Sequence, residues 1–459
     1  MGRAGLLAIC CALLLAACGS TAPARRAAPP RTPRTAAKRH VRQTLVIYSS
    51  LPLSGPQRQG SLQIERGIGL ALARAHHRAG RFRVVYRALS DSLRRVTTTA
   101  SASTTGRGRL TAAKARHYVP AANWRATATV DNAVAAARNT ETVAYIGELD
   151  SGATELSLPI LNQAGIVQLT PGSGYPGLTD RVAGVTAAGE PGRFYPHGGP
   201  TLLRLIPDDV VEAAAIADFL KHDTGCTHLA AAAFGGGVSA APLVAAIQRT
   251  APLYGLTFEA TAAPGTDVKN YYSYAVALRD HGVNCFALTG RVTRSAVAFT
   301  EALNAQLPVG SAIFGTSGLC NRSWSEQARG GVPLKVANAL YCATPLRPVD
   351  DYIGGRSFAR VYRAAEHASA TADGYYGYLA GRLVLAAISE IGASTDSRHA
   401  VLENLIGNLA STALQTYGFD SADGEISSTY YEIDKVTDGV PVAYRAIDPP
   451  SLLSETPGG

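Results

Sequence analysis

Short runs of β-forming residues alternate with longer, Ala-rich amphipathic stretches along most of this chain. The alternation is typical of α/β proteins with parallel sheets, because parallel strands need helix-length crossover connections. One series runs from a strand at 44–49 to a strand at 165–170, and a second runs from Pro207 to a strand at 312–314. The sequence therefore predicts two doubly wound, parallel-sheet lobes joined by a hinge.

The remaining segments complete or interrupt these two series. Beyond residue 345 the pattern is helical first and strand-like last, so this tail can return to complete each lobe in turn. A Ser/Thr/Arg-rich stretch at 92–123 is predicted to be a surface insertion. The predicted division is a first lobe of residues 44–206 and 345–427 and a second lobe of residues 207–344 and 428–459. A cleft between two such lobes suits a small-molecule ligand.

The first 43 residues have the composition of an export signal followed by a tether. Residues 1–17 combine a basic start with a short apolar run and small residues, as a secretory signal does. The sequence Leu15-Ala16-Ala17-Cys18 resembles a bacterial lipobox, in which Cys18 carries the lipid; the alternative is an ordinary cleaved signal with an incidental cysteine. Residues 18–43 are then a basic linker beside an anionic membrane. We expect an extracytoplasmic protein, lipid-anchored to the cell membrane of a bacterium.

The formal charge of +9 arises in the tether. Eight of the 43 Lys and Arg residues lie in residues 1–43, which contain no acid, so 35 basic residues remain against 34 acidic ones in the rest. Nucleic-acid binding needs basic residues clustered on the folded surface, so this near-neutral body indicates no nucleic-acid partner. The sequence has no run of about 18 or more apolar residues, which argues against a transmembrane helix.

Four cysteines remain after the signal and the lipobox: Cys226, Cys285, Cys320 and Cys342. In an oxidising compartment four cysteines can form two disulfides. Cys226 and Cys285 each begin a predicted strand of the second lobe at similar depth, so we expect them to pair. Cys320 then pairs with Cys342 and clips the loop at 315–321 to the strand that ends there. The spacings do not suit zinc, so neither a metal nor a cofactor is predicted.

Several segments carry recognisable motifs: LPLSG at 51–55, VAYIG at 143–147, PILNQAGI at 159–166, TPGSGYPGLT at 170–179 and YGFDSADGE at 417–425. In this order they resemble the branched-chain amino-acid-binding proteins, which are type I periplasmic solute-binding proteins of ABC importers. The resemblance spans residues 44 to 445. It implies the type I periplasmic binding protein fold, a small-molecule ligand and an ABC permease as partner.

Two of the matched loops have physical features that suit a ligand. Ser151 and Gly152 stand just before a predicted helix, whose free backbone N–H groups favour a carboxylate or amide oxygen. Gly172, Ser173 and Gly174 let the backbone approach a ligand closely. In the family that the chain resembles, these two loops hold the ligand carboxylate. The alternative is that Ser151 is a plain N-cap and that the glycine loop is a plain turn.

Other positions depart from the family pattern. Gln59 stands where an aromatic residue is common, and Ser317 stands where the family places the glutamate that binds an α-ammonium group. Asp150 could supply that acid only if it turned inward from beside the helix start. Arg291 is either a cleft residue or a solvated loop residue, and Tyr375 matches an aromatic-rich helix start but is also a candidate core residue. We therefore predict a small polar ligand, amino-acid or amide-like, that is not a standard branched-chain amino acid.

Two other classes of function would leave different features in the sequence. A dinucleotide-dependent enzyme would carry G-x-G-x-x-G directly after a strand, and an α/β-hydrolase would carry G-x-S-x-G; the sequence has neither in the required context. The sequence therefore predicts a binding protein and not an enzyme. The second alternative is a ligand-sensing or purely structural lipoprotein on the same fold. The favoured function is the solute-binding lipoprotein of an ABC importer.

Overall fold

The computed structural model describes residues 44–92, 124–260, 264, 270–352, 354–392, 396–407, 419, 424–426 and 428–449. The predicted signal, the lipid-bearing Cys18 and the basic linker lie outside these residues, as does nearly all of the predicted insertion. Within the described part, no helix combines the length and the apolar composition needed to cross a membrane.

The described residues form two sheets with helices packed against them. The strands are β1 (Thr44–Leu51), β2 (Arg78–Ala79), β3 (Phe82–Ser90), β4 (Thr142–Ile146), β5 (Val167–Thr170), β6 (Leu202–Arg204), β7 (His228–Phe234), β8 (Thr257–Glu259), β9 (Cys285–Gly290), β10 (Ala312–Gly315), β11 (Leu340–Thr344), β12 (Tyr431–Thr437) and β13 (Val440–Ile447). The helices are α1 (Arg58–Arg74), α2 (Ala126–Arg138), α3 (Ser151–Gln163), α4 (Asp209–Asp223), α5 (Ala240–Thr250), α6 (Tyr271–Asp280), α7 (Arg294–Gln306), α8 (Arg322–Ser325), α9 (Leu334–Ala337), α10 (Gly355–Glu366), α11 (Ala372–Ser389) and α12 (Ser397–Gly407).

The first sheet has the strand order β2-β3-β1-β4-β5-β6. Its main strands are parallel, and the short β2 is antiparallel to β3. Helix α1 packs along α11, which comes from the late part of the chain. The apolar faces of both helices, with those of the strands, form the largest hydrophobic core. The late helix α11 thus shares a core with the first sheet.

The second sheet has the strand order β13-β12-β11-β10-β9-β7-β8. Strands β7 to β11 pair with one another in parallel, and β12 runs antiparallel to both β11 and β13. The chain passes between the sheets after β6, after β11 and before β12, as expected for two lobes with several crossovers. The prediction of two parallel-sheet lobes is confirmed, and the residue boundaries given above stay a prediction.

Both predicted disulfides are present in the second lobe. Cys226 is bonded to Cys285 with a Cα–Cα distance of 5.7 Å, and Cys320 is bonded to Cys342 with a Cα–Cα distance of 5.2 Å. The first joins the amino ends of β7 and β9, which are neighbours in the sheet. The second fixes the loop after β10 to β11. Asp434 lies beside this second pair, but sulfurs joined in a disulfide cannot bind a metal as thiolates.

Some predicted element boundaries were wrong. The apolar spacing over 61–77 predicts a helix that reaches His77, but α1 ends at Arg74 because His77 N–H donates to the carbonyl of Leu72 and closes the helix end. His76 and His77 therefore lie outside it, with positive φ angles of 52° and 54°. Strands β2 and β6 are so short that the sequence pattern did not indicate them.

Candidate functional site

The start of α3 differs from the prediction in a way that matters for the site. The helix was expected from residue 154, but it begins at Ser151, and Asp150 is the N-cap whose carboxylate accepts from Gly152 N–H at 3.0 Å. Ser151 is therefore neither the residue before the helix nor its N-cap. Its hydroxyl accepts from Tyr175 N–H at 3.2 Å, so Ser151 ties the start of α3 to the glycine loop.

The glycine loop is held mainly by contacts inside the first lobe. Ser173 is fully buried, its hydroxyl is 2.7 Å from that of Thr154, and it donates to the carbonyl of Glu148 at 3.3 Å. A Cβ on Gly172 would lie 2.6 Å from the Leu149 side chain, and a Cβ on Gly174 would lie 2.0 Å from Asp209 Oδ1. These glycines are needed for close packing of the loop. Their predicted role at a ligand stays a prediction.

Arg204 supports this loop from behind. Its side chain is fully buried, and its guanidinium donates to the carbonyl of Ser173, to the carbonyl of Tyr175 at 3.2 Å and to the Thr179 hydroxyl at 2.6 Å. Sequence reasoning missed this residue. The signal was an arginine inside the apolar run of β6, since a buried cation needs specific partners.

Arg291 faces the start of α3 from the other lobe. It follows β9, and its guanidinium forms an ion pair with the carboxylate of Asp150; the two side chains are only 17% and 15% exposed. Burial lowers the pKa of the guanidinium. Arg291 is thus an interlobe residue and not a solvated one. Asp150 is turned towards the opposite lobe, which supplies it with a cation.

Two apolar side chains meet at the same place. A Cβ on Gly152 would lie 3.0 Å from Cζ2 of Trp124 and 3.5 Å from Cγ1 of Val238. Trp124 comes from just before α2 in the first lobe, and Val238 comes from the loop after β7 in the second lobe. The first turn of α3 is therefore the point where loops of both lobes converge. Trp124 was missed because it follows directly on the predicted insertion.

The loop after β10 contains Ser317, where the family pattern has an acid. Ser317 is exposed, but its N–H and hydroxyl donate to the two carboxylate oxygens of Glu212 at 2.6 and 2.9 Å. Glu212, on the first turns of α4, is fully buried, and this burial raises its pKa to about 7. The acid Glu212 is therefore in direct contact with Ser317. Sequence reasoning missed it because Glu212 is 105 residues away along the chain.

A second buried acid lies close to Glu212. Asp209 is 6% exposed, and burial together with the charge of Glu212 raises its pKa well above the usual value. Its N–H donates to the carbonyl of Gly174 at 2.8 Å, so α4 of the second lobe contacts the glycine loop of the first. Two buried carboxyl groups with raised pKa values therefore lie at the start of α4, next to the glycine loop.

Two further buried acids, Glu148 and Asp91, lie below the loop that leads into α3. Glu148 is fully buried and accepts from the Tyr145 hydroxyl at 2.7 Å, while Asp91 is 1% exposed. Burial and the charge of Asp91 raise the pKa of Glu148 well above its usual value, and burial raises the pKa of Asp91 to about 6. The two groups titrate as a pair. They are part of the floor of the first lobe at the carboxyl ends of its strands.

Two predicted site residues are not part of this convergence. Gln59 is exposed in the first turn of α1. Tyr375 is 4% exposed and stacks on Tyr352 with a ring separation of 4.2 Å inside the core of the first lobe. Tyr375 is therefore a core residue in this structure. Its position gives no support to the predicted contact with a ligand. The structure brings together Ser151, Gly152, Gly172, Ser173, Gly174 and, from the second lobe, Arg291.

Comparison with known proteins identifies the family of the chain. The model of the periplasmic binding protein family matches residues 117–436, which is most of the folded body. The chain belongs to this family. No curated protein sequence matches the chain significantly. The two-lobed fold is that of the type I periplasmic binding proteins, as the sequence motifs predict.

Solved structures of this fold cover nearly the whole folded body. A leucine-binding protein from Thermotoga maritima has a TM-score of 0.65 and 16% identity over 88% of this chain and 99% of its own. The substrate-binding protein of a branched-chain amino-acid transporter from Streptococcus pneumoniae, in complex with isoleucine, has a TM-score of 0.62 and 13% identity over 88% and 100%. An ABC transporter solute-binding protein from R. palustris, in complex with benzoate, has a TM-score of 0.60 and 14% identity over 88% and 97%. At these identities the similarity shows the fold.

Proposed function

We propose that this chain is the solute-binding component of an ABC importer, anchored outside the cytoplasmic membrane by a lipid on Cys18. It encloses a small polar solute between the first lobe, residues 44–206 and 345–427, and the second, residues 207–344 and 428–459. One observation carries the proposal. The first turn of α3 meets Arg291 and Val238 of the other lobe, at a loop that holds the ligand carboxylate in the family.

The proposed mechanism is hinge closure around the solute. The chain crosses between the sheets three times in the described part, so the lobes can rotate while each keeps its own core. A solute favours the closed state only if it makes contacts there that it cannot make when the lobes are apart. The donors near α3 come from the first lobe and Arg291 comes from the second. A solute between the lobes can contact both the donors near α3 and Arg291 only when the lobes close.

The known ligands of the similar structures support a polar, carboxylate-type solute. Leucine, isoleucine and benzoate, named for the proteins of Thermotoga maritima, Streptococcus pneumoniae and R. palustris, all carry a carboxylate. The donors near α3 suit such a group. Glu212 does not restore an ordinary ammonium site, because both of its oxygens already accept from Ser317. A standard branched-chain amino acid is therefore not the proposed solute.

A thermal-shift screen of the purified protein against amino acids, amides and small organic acids tests the binding function. A solute that binds only the folded state raises the melting temperature. Ser151→Ala should weaken binding of any solute found, because it removes the tie to Tyr175 and a donor near the solute. The matched control is Ser389→Ala, which removes an exposed hydroxyl far along the chain at the end of α11. Unchanged affinity in Ser151→Ala would contradict the site.

Lipid anchoring through Cys18 needs its own experiment. Cys18→Ala should abolish incorporation of labelled palmitate in cells and the processing that depends on it, and the protein should leave the membrane fraction. The motif Leu15 to Cys18 supports this expectation. A variant that is labelled and processed as before would contradict it.

A sensing or structural role on the same fold is the second candidate. The observation that favours it is the Asp150–Arg291 ion pair, which joins the lobes through the protein's own side chains. Deletion of the gene separates the candidates. Loss of uptake of a bound solute supports transport, whereas binding with normal uptake supports sensing.

A further inference from the structure

We propose that the solute is an organic anion and that the carboxylate of Asp150 occupies, on Arg291, the position that the solute's acid group takes in the bound state. Asp150 is then an internal competitor, and Arg291 is the residue that selects anions. This inference rests on the solute-binding function proposed above and names its substrate class.

The two oxygens of Asp150 have separate partners. Oδ1 accepts from Gly152 N–H at 3.0 Å and caps α3, while Oδ2 is paired with Arg291. One carboxylate thus lies between the positive end of a helix in the first lobe and a guanidinium in the second. Both groups favour an anion. Asp150 itself shows that a carboxylate fits between them.

A glycine lies beside the guanidinium of Arg291. A Cβ on Gly237 would lie 3.8 Å from Arg291 Nη2, so position 237 places no side chain against the cation. A guanidinium has five N–H donors in a planar fork, which can bind a carboxylate through two of them. The acid group of a solute would take the place of Oδ2 on this fork.

Trp124 adds a donor and an apolar wall. Its Nε1 is buried and has no hydrogen-bond partner among the described residues. Cζ2, the ring atom that approaches Gly152, is bonded to the same carbon as Nε1, so the N–H lies on the edge of the indole near α3. A buried unpaired donor is costly unless a ligand or water supplies an acceptor. Val238 faces this ring from the other lobe, so the body of the solute is expected to be apolar.

These features predict that the solute carboxylate and Asp150 compete for Arg291. A solute carboxylate that binds Arg291 displaces Oδ2, because two carboxylates on one cation repel each other, while Oδ1 can remain on α3. The lobes are then joined through the solute. A neutral solute of the same shape cannot displace a charged group from a partly buried guanidinium and leaves the ion pair in place.

Two substitutions separate these roles. Asp150→Asn keeps a good helix cap but removes the negative charge, and Arg291→Gln removes the cation. Isothermal titration of the full-length protein would use benzoate and 4-methylpentanoate, each beside its neutral amide. We expect Asp150→Asn to bind the acids about tenfold more tightly and Arg291→Gln to bind them at least about tenfold more weakly, since each loses one charged interaction. The amides should show no such changes.

Controls keep the result interpretable. Asp223→Asn removes the partner of Arg445 in the second lobe, away from α3, and should leave all affinities unchanged. Arg291→Lys retains the charge without the planar fork and should bind the acids with intermediate affinity. Circular dichroism melting curves identify any variant that does not fold.

The outcomes separate this inference from the general function. If acids and amides bind alike, or if Asp150→Asn leaves the acid affinities unchanged, the anion assignment is overturned while solute binding stands. If no acid, amide, amino acid or sugar binds the wild type or Asp150→Asn, both proposals fail.

Discussion

Arg204 Nε donates to both carboxylate oxygens of Glu425, at 2.9 and 3.0 Å, across 221 residues of sequence. The same guanidinium holds the carbonyls of Ser173 and Tyr175. Glu425 also accepts from the Thr179 hydroxyl at 2.5 Å. The glycine loop is therefore positioned by a strand of the first sheet and by a segment that arrives near the end of the chain.

Replacing Glu425 should destabilise the fold and weaken solute binding together. In Glu425→Ala the buried guanidinium of Arg204 loses its counter-ion, and leaving a buried charge unpaired costs about 3 to 5 kcal/mol. Urea unfolding measures the loss of stability and calorimetry measures the affinity. Glu366→Ala is the control, because its pair with Arg66 is largely exposed and should contribute at most about 1 kcal/mol. Equal effects of the two substitutions would show that the buried pair is not special.

The contact between α1 and α11 depends on glycine at position 67. A Cβ on Gly67 would lie 2.0 Å from the carbonyl oxygen of Gly374, whereas a Cβ on Gly69, two residues later in α1, has no atom within 4 Å. Gly67→Ala should therefore lower the free energy of unfolding by about 1 to 3 kcal/mol through overpacking against backbone. Gly69→Ala should raise it by up to about 1 kcal/mol, because alanine favours the helix.

Urea unfolding of both variants checks this pair of predictions. Both substitutions add one methyl group to the same helix, so helix propensity alone would make them stabilise equally. Destabilisation confined to Gly67→Ala supports close packing of the two helices, and equal stabilisation would contradict it.

The fold could be predicted from the sequence because its signals are local and repeated. The sequence pattern predicts a strand at 228–234 and a helix at 293–306, within one residue of the bounds of β7 and α7. Burial of a strand or of one helix face leaves such a short-range pattern. The cysteine pairs followed from the positions of Cys226 and Cys285 at strand starts. The short β6 was missed because one of its three residues is Arg204, which interrupts the apolar run.

The site was only partly predictable because its partners are distant in sequence. The motifs pointed to the start of α3 and to the glycine loop, and Arg291 was recognised as a candidate. The pairing of Arg291 with Asp150 and of Ser317 with Glu212 depends on how the lobes and loops meet. A residue's own neighbours give no sign of such pairs. A charged residue in an apolar stretch, such as Arg204 or Glu212, is the one local hint that a buried partner exists.

Removing the Cys320–Cys342 disulfide should affect binding as well as stability. A double Cys320→Ser, Cys342→Ala variant frees the loop that carries Ser317 and should cost about 3 kcal/mol of folding stability. The matched control is a double Cys226→Ser, Cys285→Ala variant. That bond joins the amino ends of β7 and β9, whereas Arg291 follows the carboxyl end of β9.

We expect both variants to unfold at lower denaturant concentration. Only the first should bind the solute more weakly, because only its loop lies beside the cleft. Non-reducing peptide mapping of the wild type verifies that both bonds form. Loss of affinity of the same size in the control variant would show that the effect comes from general destabilisation.

Glu212 should make the protein less stable as the pH rises towards neutrality. Burial raises its pKa to about 7 in the folded state from 4.5, although the two hydrogen bonds from Ser317 favour the charged form. Between these values the folded state binds the proton more tightly than the unfolded state, so unfolding releases it and stability falls with increasing pH. Asp209 has a shift in the same direction, caused first by burial and then by the charge of Glu212.

Glu212→Gln should remove this part of the pH dependence. At pH 8 the variant should be more stable than the wild type by roughly 1 to 3 kcal/mol. This is the free energy that corresponds to raising the pKa from 4.5 to about 7, reduced because glutamine accepts weaker hydrogen bonds from Ser317. At pH 5, where folded Glu212 already holds its proton, the two proteins should differ little. Urea unfolding at intervals from pH 5 to pH 8 measures the difference, and Glu403→Gln, which replaces an exposed acid on α12, should follow the wild type throughout. A constant difference between Glu212→Gln and the wild type over this range would mean that ionisation of Glu212 is not coupled to folding.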